Sequence, residues 1–122
     1  MGGLGSVNGL VIDGADTQAL ATFWCAVLGT SVDTVAGDGH YIDLAPTEGF
    51  PILRLQRVPE PKSVKNRLHL DIEVDDVDEA IEIVQALGGT LVGPPRMEYG
   101  WRYAVLADLE GNEFCAIRRS EP

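Results

Sequence analysis

The chain has 122 residues, 45% hydrophobic and 23% charged, with a formal net charge of −10. That balance describes one folded domain able to bury its own core. The charge opposes phosphate backbones and anionic lipid, and no apolar run approaches the ~18–20 residues that span a bilayer, so neither nucleic acid nor membrane is an expected partner.

Residues 1–6 lack the basic and apolar regions of a secretory signal. They match the loose Met-Gly-x-x-x-Ser myristoylation pattern but no polybasic second anchor follows, so a Gly-rich tail is the expectation. Residues 7–12 are short and β-branched and read as a strand. Asp16 is placed to cap a helix over residues 17–28, whose Leu20, Phe23, Trp24, Val27 and Leu28 share one face. Gly29 is the expected stop. Strands are predicted near 30–35, 40–45 and 52–58, separated by Gly37-Asp38-Gly39 and a turn at 46–49. Cys25 lies in the helix and Cys115 far from it, which reads as free buried thiols of a cytoplasmic protein.

Residues 59–66 are polar with two prolines and read as a linker, after which the same order of elements restarts. A strand is predicted over 67–74, Asp76 with Glu79 as a capping pair, and a helix over 77–87 that stops at Gly88-Gly89. Strands near 90–92, 102–107 and 113–118 complete the chain. The restart is a repeat, 7–58 against 67–119. Leu10 and Leu70, Ile12 and Ile72, Asp16 and Asp76, Ala26 and Ala86, and Gly29-Thr30 and Gly89-Thr90 all stand sixty residues apart. Tyr41-x-x-Leu44-Ala45-x-x-Glu48-Gly49 matches Tyr103-x-x-Leu106-Ala107-x-x-Glu110-Gly111 at an offset of 62. A βαβββ unit covers one face of its sheet with a helix and leaves the other bare. Two such units are expected to enclose a ligand cavity between their bare faces.

The tandem βαβββ pattern resembles the vicinal oxygen chelate superfamily of glyoxalases, bleomycin-resistance proteins and ring-cleaving dioxygenases. The stretches that carry the resemblance are residues 19–29, 66–76 and 106–115. The last is similar to the family's Asp-Pro-x-Gly-Asn turn and final strand, with Leu109 where proline is usual. The small glyoxalase-like domain proteins of bacteria are the nearest in wording. The resemblance implies an α+β fold of two βαβββ modules with a cavity between curved sheets, and a homodimer.

Metal-dependent members of that family hold one divalent ion through a first-strand His and a last-strand Glu of each half. Carried onto this chain, the four positions are Gly9, Leu53, His69 and Cys115. Glycine and leucine offer no ligand, so the usual metal site is not expected and no cofactor is implied. A divalent metal would need other ligands, since zinc normally takes three or four from the protein.

His69, Asp71 and Glu73 alternate with Leu70, Ile72 and Val74, which puts the polar set on the cavity side by strand periodicity. A His beside a carboxylate can act as a general base or bind a polar group, which makes His69 and Asp71 the candidate catalytic pair. Trp101, Tyr103 and Tyr99 can stack on a planar ligand or plug the sheet edge. Glu113 and Cys115 share strand parity, and with Leu53 they complete the candidate ligand-binding set. Arg54 either offsets a negative ligand or pairs with the chain's own carboxylates. The acids at 75, 76, 78 and 79 have no EF-hand spacing and suit a helix N-terminus.

The leading expectation is a small-molecule-binding protein that sequesters an apolar or aromatic metabolite or antibiotic without the usual metal. The second is an enzyme of the lyase, isomerase or dioxygenase type using His69 or an unidentified metal site. The third is a dimerisation module with a filled cavity.

Overall fold

Two capped helices organise the fold. In the computed structural model, which describes residues 3–120, the Asp16 carboxylate accepts from the Ala19 N–H at the start of α1 (Thr17–Leu28), and Asp76 accepts from Glu79 N–H at the start of α2 (Val77–Ala86). Both satisfy an N–H that the first helical turn leaves without a partner. Gly29 ends α1 in the left-handed region at φ 66°, where a side chain would be strained. The Met1-Gly2 part of the amino-terminal pattern lies outside the described residues.

The chain divides into two units, Met1–Pro61 and Lys62–Pro122. The first holds β1 (Gly9–Gly14), α1, β2 (Val32–Ala36), β3 (Tyr41–Leu44) and β4 (Ile52–Arg57), in the sheet order β1-β4-β3-β2 with β1 and β4 parallel. The second holds β5 (Asp71–Glu73), α2, β6 (Thr90–Leu91), β7 (Arg96–Glu98), β8 (Trp101–Ala107) and β9 (Glu113–Arg119). Its order is β5-β9-β8-β6, with β7 also paired to β8 and β5 parallel to β9. This is the α+β arrangement that the repeat implies.

Strand alternation decides what each sheet buries. In the first unit Leu53 and Leu55 of β4 and Ile42 and Leu44 of β3 are buried, as are Leu20, Phe23 and Trp24 of α1, which packs on those strands. In the second, Ala104 and Leu106 of β8 sit opposite Ala116 and Phe114 of β9, and all four are buried, with α2 packed on the same two strands. The intervening residues Tyr103, Val105, Glu113 and Cys115 therefore face away from α2.

Three expectations change. Residues 67–70 are not strand, and β5 is only three residues long, although the Leu70 carbonyl still accepts from Cys115 N–H at 2.9 Å. No strand is expected between those near 90–92 and 102–107, yet β7 lies there and turns into β8 through Tyr99-Gly100 with both φ positive, 51° and 83°. Two consecutive positive φ values are the signature of a type I′ hairpin. Leu53, proposed as a ligand-binding position, is a core residue of the first unit, 3% exposed on the helix-facing side.

The displacement of Leu53 has a register cause. Asp43 of β3 pairs with Arg54 of β4 across eleven residues, whereas Val105 of β8 pairs with Cys115 of β9 across ten. The first connection is one residue longer, so matching Gly49 to Gly111 slips the strand by one. Cys115 thus corresponds to Arg54, and Asp71, which pairs with Cys115, corresponds to Val11, which pairs with Arg54.

Candidate ligand-binding site

The last turn of the second unit is built around a buried carboxylate. Asp108, 3% exposed, accepts from the backbone N–H groups of Glu110 at 2.9 Å and Asn112 at 3.0 Å, and from the Asn112 side-chain amide at 3.0 Å. A buried charge is tolerated when its lone pairs are taken up in this way. The turn fixes where β9 begins, and so the positions of Glu113 and Cys115.

Glu113 then holds the segment ahead of β5. Its backbone N–H donates to Asn66 Oδ1 at 3.1 Å, and its carboxylate accepts from Asn66 N–H at 3.2 Å. Lys65 Nζ lies 3.5 Å and Lys62 Nζ 4.0 Å from the same carboxylate. The clasp brings residues 65–70 alongside β9, and the Leu70–Cys115 bond continues it into the strand.

That placement brings Cys115 to the His69–Asp71 pair that the strand spacing already joins. Asp71 and Cys115 are partners in the parallel ladder, and His69 lies two residues earlier. The His69 Nδ1 is 3.4 Å from Asp71 Oδ1, and the ligand atoms of His69, Asp71 and Cys115 all lie within 4.8 Å of one another. Cys115 is buried, while the His69 and Asp71 side chains are about half-exposed. Burial first, then the charge and hydrogen bond of Asp71, push the Cys115 thiol up from its ordinary range, which keeps it protonated near neutral pH.

The three donors open onto a cavity of about 600 Å³ formed wholly within the second unit. Trp101 and Tyr103 of β8 form one wall, with Tyr99 and Glu98 at the β7–β8 turn, and Val105 and Ile117 supply apolar floor. The Arg119 guanidinium lies over the Trp101 ring, 5.0 Å from its centroid, and steadies that wall. His69, Asp71, Trp101, Tyr103, Glu113 and Cys115 thus line one cavity; Leu53 is not among its lining residues. The polar lining residues that sequence reasoning did not single out are Lys65 and Glu98, for which the only signal was proximity to the linker and to an unrecognised hairpin.

The first unit treats the same sheet positions differently. Arg54 donates from Nε to Asp43 Oδ1 at 2.6 Å and from Nη2 to Oδ2 at 3.0 Å, a bidentate pair. A shallower depression of about 400 Å³ lies over this pair, Thr34 and Tyr41. Gly9 cannot simply be replaced by a ligand, since an added Cβ would stand 3.0 Å from the Ile52 carbonyl oxygen. The acids at the α2 N-terminus are engaged locally. Asp76 caps the helix, Asp78 pairs with Arg102 at 2.6 Å, and Asp75 lies 3.9 Å from Arg118. Among the described residues no helix is long and apolar enough to cross a membrane.

The glyoxalase-like domain family matches residues 9–117. Among solved structures, a glyoxalase/bleomycin resistance protein/dioxygenase family enzyme from Burkholderia phytofirmans PsJN superposes with a TM-score of 0.75 at 23% identity, over 92% of this chain and 97% of that one. TioX from Micromonospora sp. ML1 gives 0.65 at 24% identity, over 94% and 99%. The fosfomycin resistance protein FosX from Listeria monocytogenes, complexed with Mn(II) and 1S,2S-dihydroxypropylphosphonic acid, gives 0.74 at 14%, over 93% and 89%. At these identities the likeness establishes the fold. No curated protein sequence matches.

Proposed function

The chain belongs to the glyoxalase-like domain family, and from that premise we propose that it binds a small, planar and largely apolar metabolite or antibiotic in the cavity of its second half. The observation that carries the reading is the cavity itself. Its volume of about 600 Å³ falls in the range of small-molecule sites, and an aromatic wall faces a His–carboxylate pair. The ligand's ring stacks on Trp101 and Tyr103, and its polar end meets His69 and Asp71. The reading includes a homodimer in the cytoplasm and neither nucleic acid nor membrane as partner; sedimentation reads the oligomeric state.

A thermal-shift screen of planar aromatic compounds tests it. A ligand at ~100 times its Kd adds about 2.7 kcal/mol. Trp101→Ala and Tyr103→Ala, both still folded by circular dichroism, should each weaken a hit by roughly 10-fold or more. If no compound moves the midpoint, or if hits bind both variants as well as the parent, the cavity is not a binding site.

One contact favours a second reading. His69 Nδ1 sits 3.4 Å from Asp71 Oδ1, and a small rotation would bring the pair into the hydrogen bond by which a carboxylate orients an imidazole as general base. An enzyme of the lyase or isomerase type would then turn over a ligand found in the screen, and His69→Ala would abolish turnover while leaving binding measurable.

A further inference from the structure

We propose that His69, Asp71 and Cys115 form a site for one borderline-soft divalent cation, Zn²⁺ being the best fit, with its remaining coordination position open to the cavity. The proposal rests on the reading above only for what meets that open position; the ion itself needs the three donors alone.

The donor set decides the ion. One imidazole nitrogen, one carboxylate oxygen and one thiol sulfur suit Zn²⁺, which accepts N, O and S ligands in tetrahedral sites. Magnesium, calcium and manganese prefer oxygen ligands, and a thiolate selects against them. Three protein ligands plus an open position is the pattern of zinc sites that also bind water or substrate.

The geometry meets that demand with small movements. Donors held at ~2.0–2.3 Å from one ion stand roughly 3–4 Å apart. Here the His69 and Asp71 donors are 3.4 Å apart and all three lie within 4.8 Å. The side chains that must adjust, His69 and Asp71, are the half-exposed ones, while Cys115 is held in the sheet. The backbone beneath them is already set by the Leu70–Cys115 bond and by the Asn66–Glu113 clasp. On binding, the ion replaces the thiol proton, which leaves to solvent.

This site departs from the family's pattern, in which each half gives a His and a last-strand carboxylate. The first half of this chain offers Gly9, a buried Leu53 and an Arg54 already paired with Asp43. Two pattern positions survive in the second half, His69 and Cys115. The third donor, Asp71, lies outside the pattern and comes from the strand that the first half fills with Val11.

Tag-free protein stripped with a chelator and titrated with Co²⁺ provides the test. One equivalent should produce thiolate-to-cobalt charge-transfer absorption with the visible bands of a four-coordinate ion, and Zn²⁺ should remove both while Mn²⁺ does not. Cys115→Ser should lose the charge-transfer band, and His69→Ala and Asp71→Asn should weaken Co²⁺ binding by roughly 10-fold or more. Cys25→Ser should titrate like the parent, and circular dichroism checks that each variant folds. No band at millimolar Co²⁺, or a band that survives Cys115→Ser, overturns the proposal. A metal-free protein that still binds aromatic compounds would sink the metal site and leave the binding reading intact. A cobalt site in a protein that shifts with no compound would do the reverse.

Discussion

The two halves share a folding plan and differ in what they place on either side of the sheet. At matched positions sixty residues apart, Leu20, Phe23 and Trp24 of α1 meet Ala80, Ile83 and Val84 of α2. The first three are fully buried, whereas Ile83 is half-exposed and only Val84 of the second set is buried. On the opposite face the contrast runs the other way. The cross-strand pair Asp43–Arg54 in the first half is closed by two charge-assisted hydrogen bonds, and its counterpart Val105–Cys115 faces an open cavity. The first half thus has the bulkier core and a closed sheet face, while the second has a lighter core and an open cavity. The bulkier core and the open cavity therefore lie in different copies.

Core truncation is the strongest way to break that contrast. Trp24→Ala should cost about 3–5 kcal/mol, because it empties a large fully buried site. Val84→Ala, its counterpart, should cost about 2 kcal/mol, from two lost carbons and a small void. Urea denaturation of both variants checks it. Equal costs would remove the claim that the first copy is the better anchored.

The next contrast lies at the turn before the last strand. Asp108 has Pro46 as its counterpart, 62 residues earlier, and the proline side chain has no acceptor to offer the turn. Asp108→Ala leaves two part-buried N–H groups without that acceptor and should cost about 1–2 kcal/mol. Pro46→Ala, at an exposed site, should stay within about 0.5 kcal/mol. Asp108→Ala should also weaken Co²⁺ or ligand binding, since the turn positions Cys115, and a variant that lost stability but bound normally would deny it that role.

Much of this was legible in the sequence, for identifiable reasons. The helices were, because Asp16, Asp76 and Gly29 are local signals that act within a few residues. The repeat was, because those signals recur at a constant offset. The Leu53 assignment failed because a single extra residue between β3 and β4 reverses strand facing, and glycine-to-glycine alignment does not count residues inside a turn. β7 was missed because Pro94-Pro95 masked it and its hairpin turns on Tyr99-Gly100 instead of Asn-Gly. Asp71 and Cys115 were expected in one cavity, but their direct pairing across two strands was out of reach. It depends on the parallel register of β5 and β9, two strands separated by most of the unit, which no local pattern encodes.

The helix caps should sharpen the comparison by showing where the copies agree. Asp16→Ala and Asp76→Ala each remove one acceptor from a first-turn N–H at nearly the same distance, 3.0 and 3.1 Å. Each should cost about 1 kcal/mol, and the two costs should match within error by urea midpoint. A cap that proved silent in one half would mean that its helix is held by packing alone and that the shared signal is a relic.

The smallest effect expected concerns pH and the sealed face of the first half. The Arg54 guanidinium, through its hydrogen bonds to Asp43 and then its charge, holds the Asp43 carboxyl below its usual range. A carboxyl depressed in the folded chain contributes stability that is complete above its unfolded pKa of about 3.9 and is lost as pH falls through the lower folded value. The seal of the first half therefore weakens in acid, whereas Val105–Cys115 carries no carboxylate to protonate. Replacing both partners, Asp43→Asn with Arg54→Gln, removes the charge without stranding a half-buried cation. The parent should lose more stability than the double variant between pH 7 and pH 3, read as urea midpoints on the same samples. An identical loss in the two proteins would show that the ion pair closes the sheet by shape alone, and the electrostatic half of the contrast between the copies would fall with it.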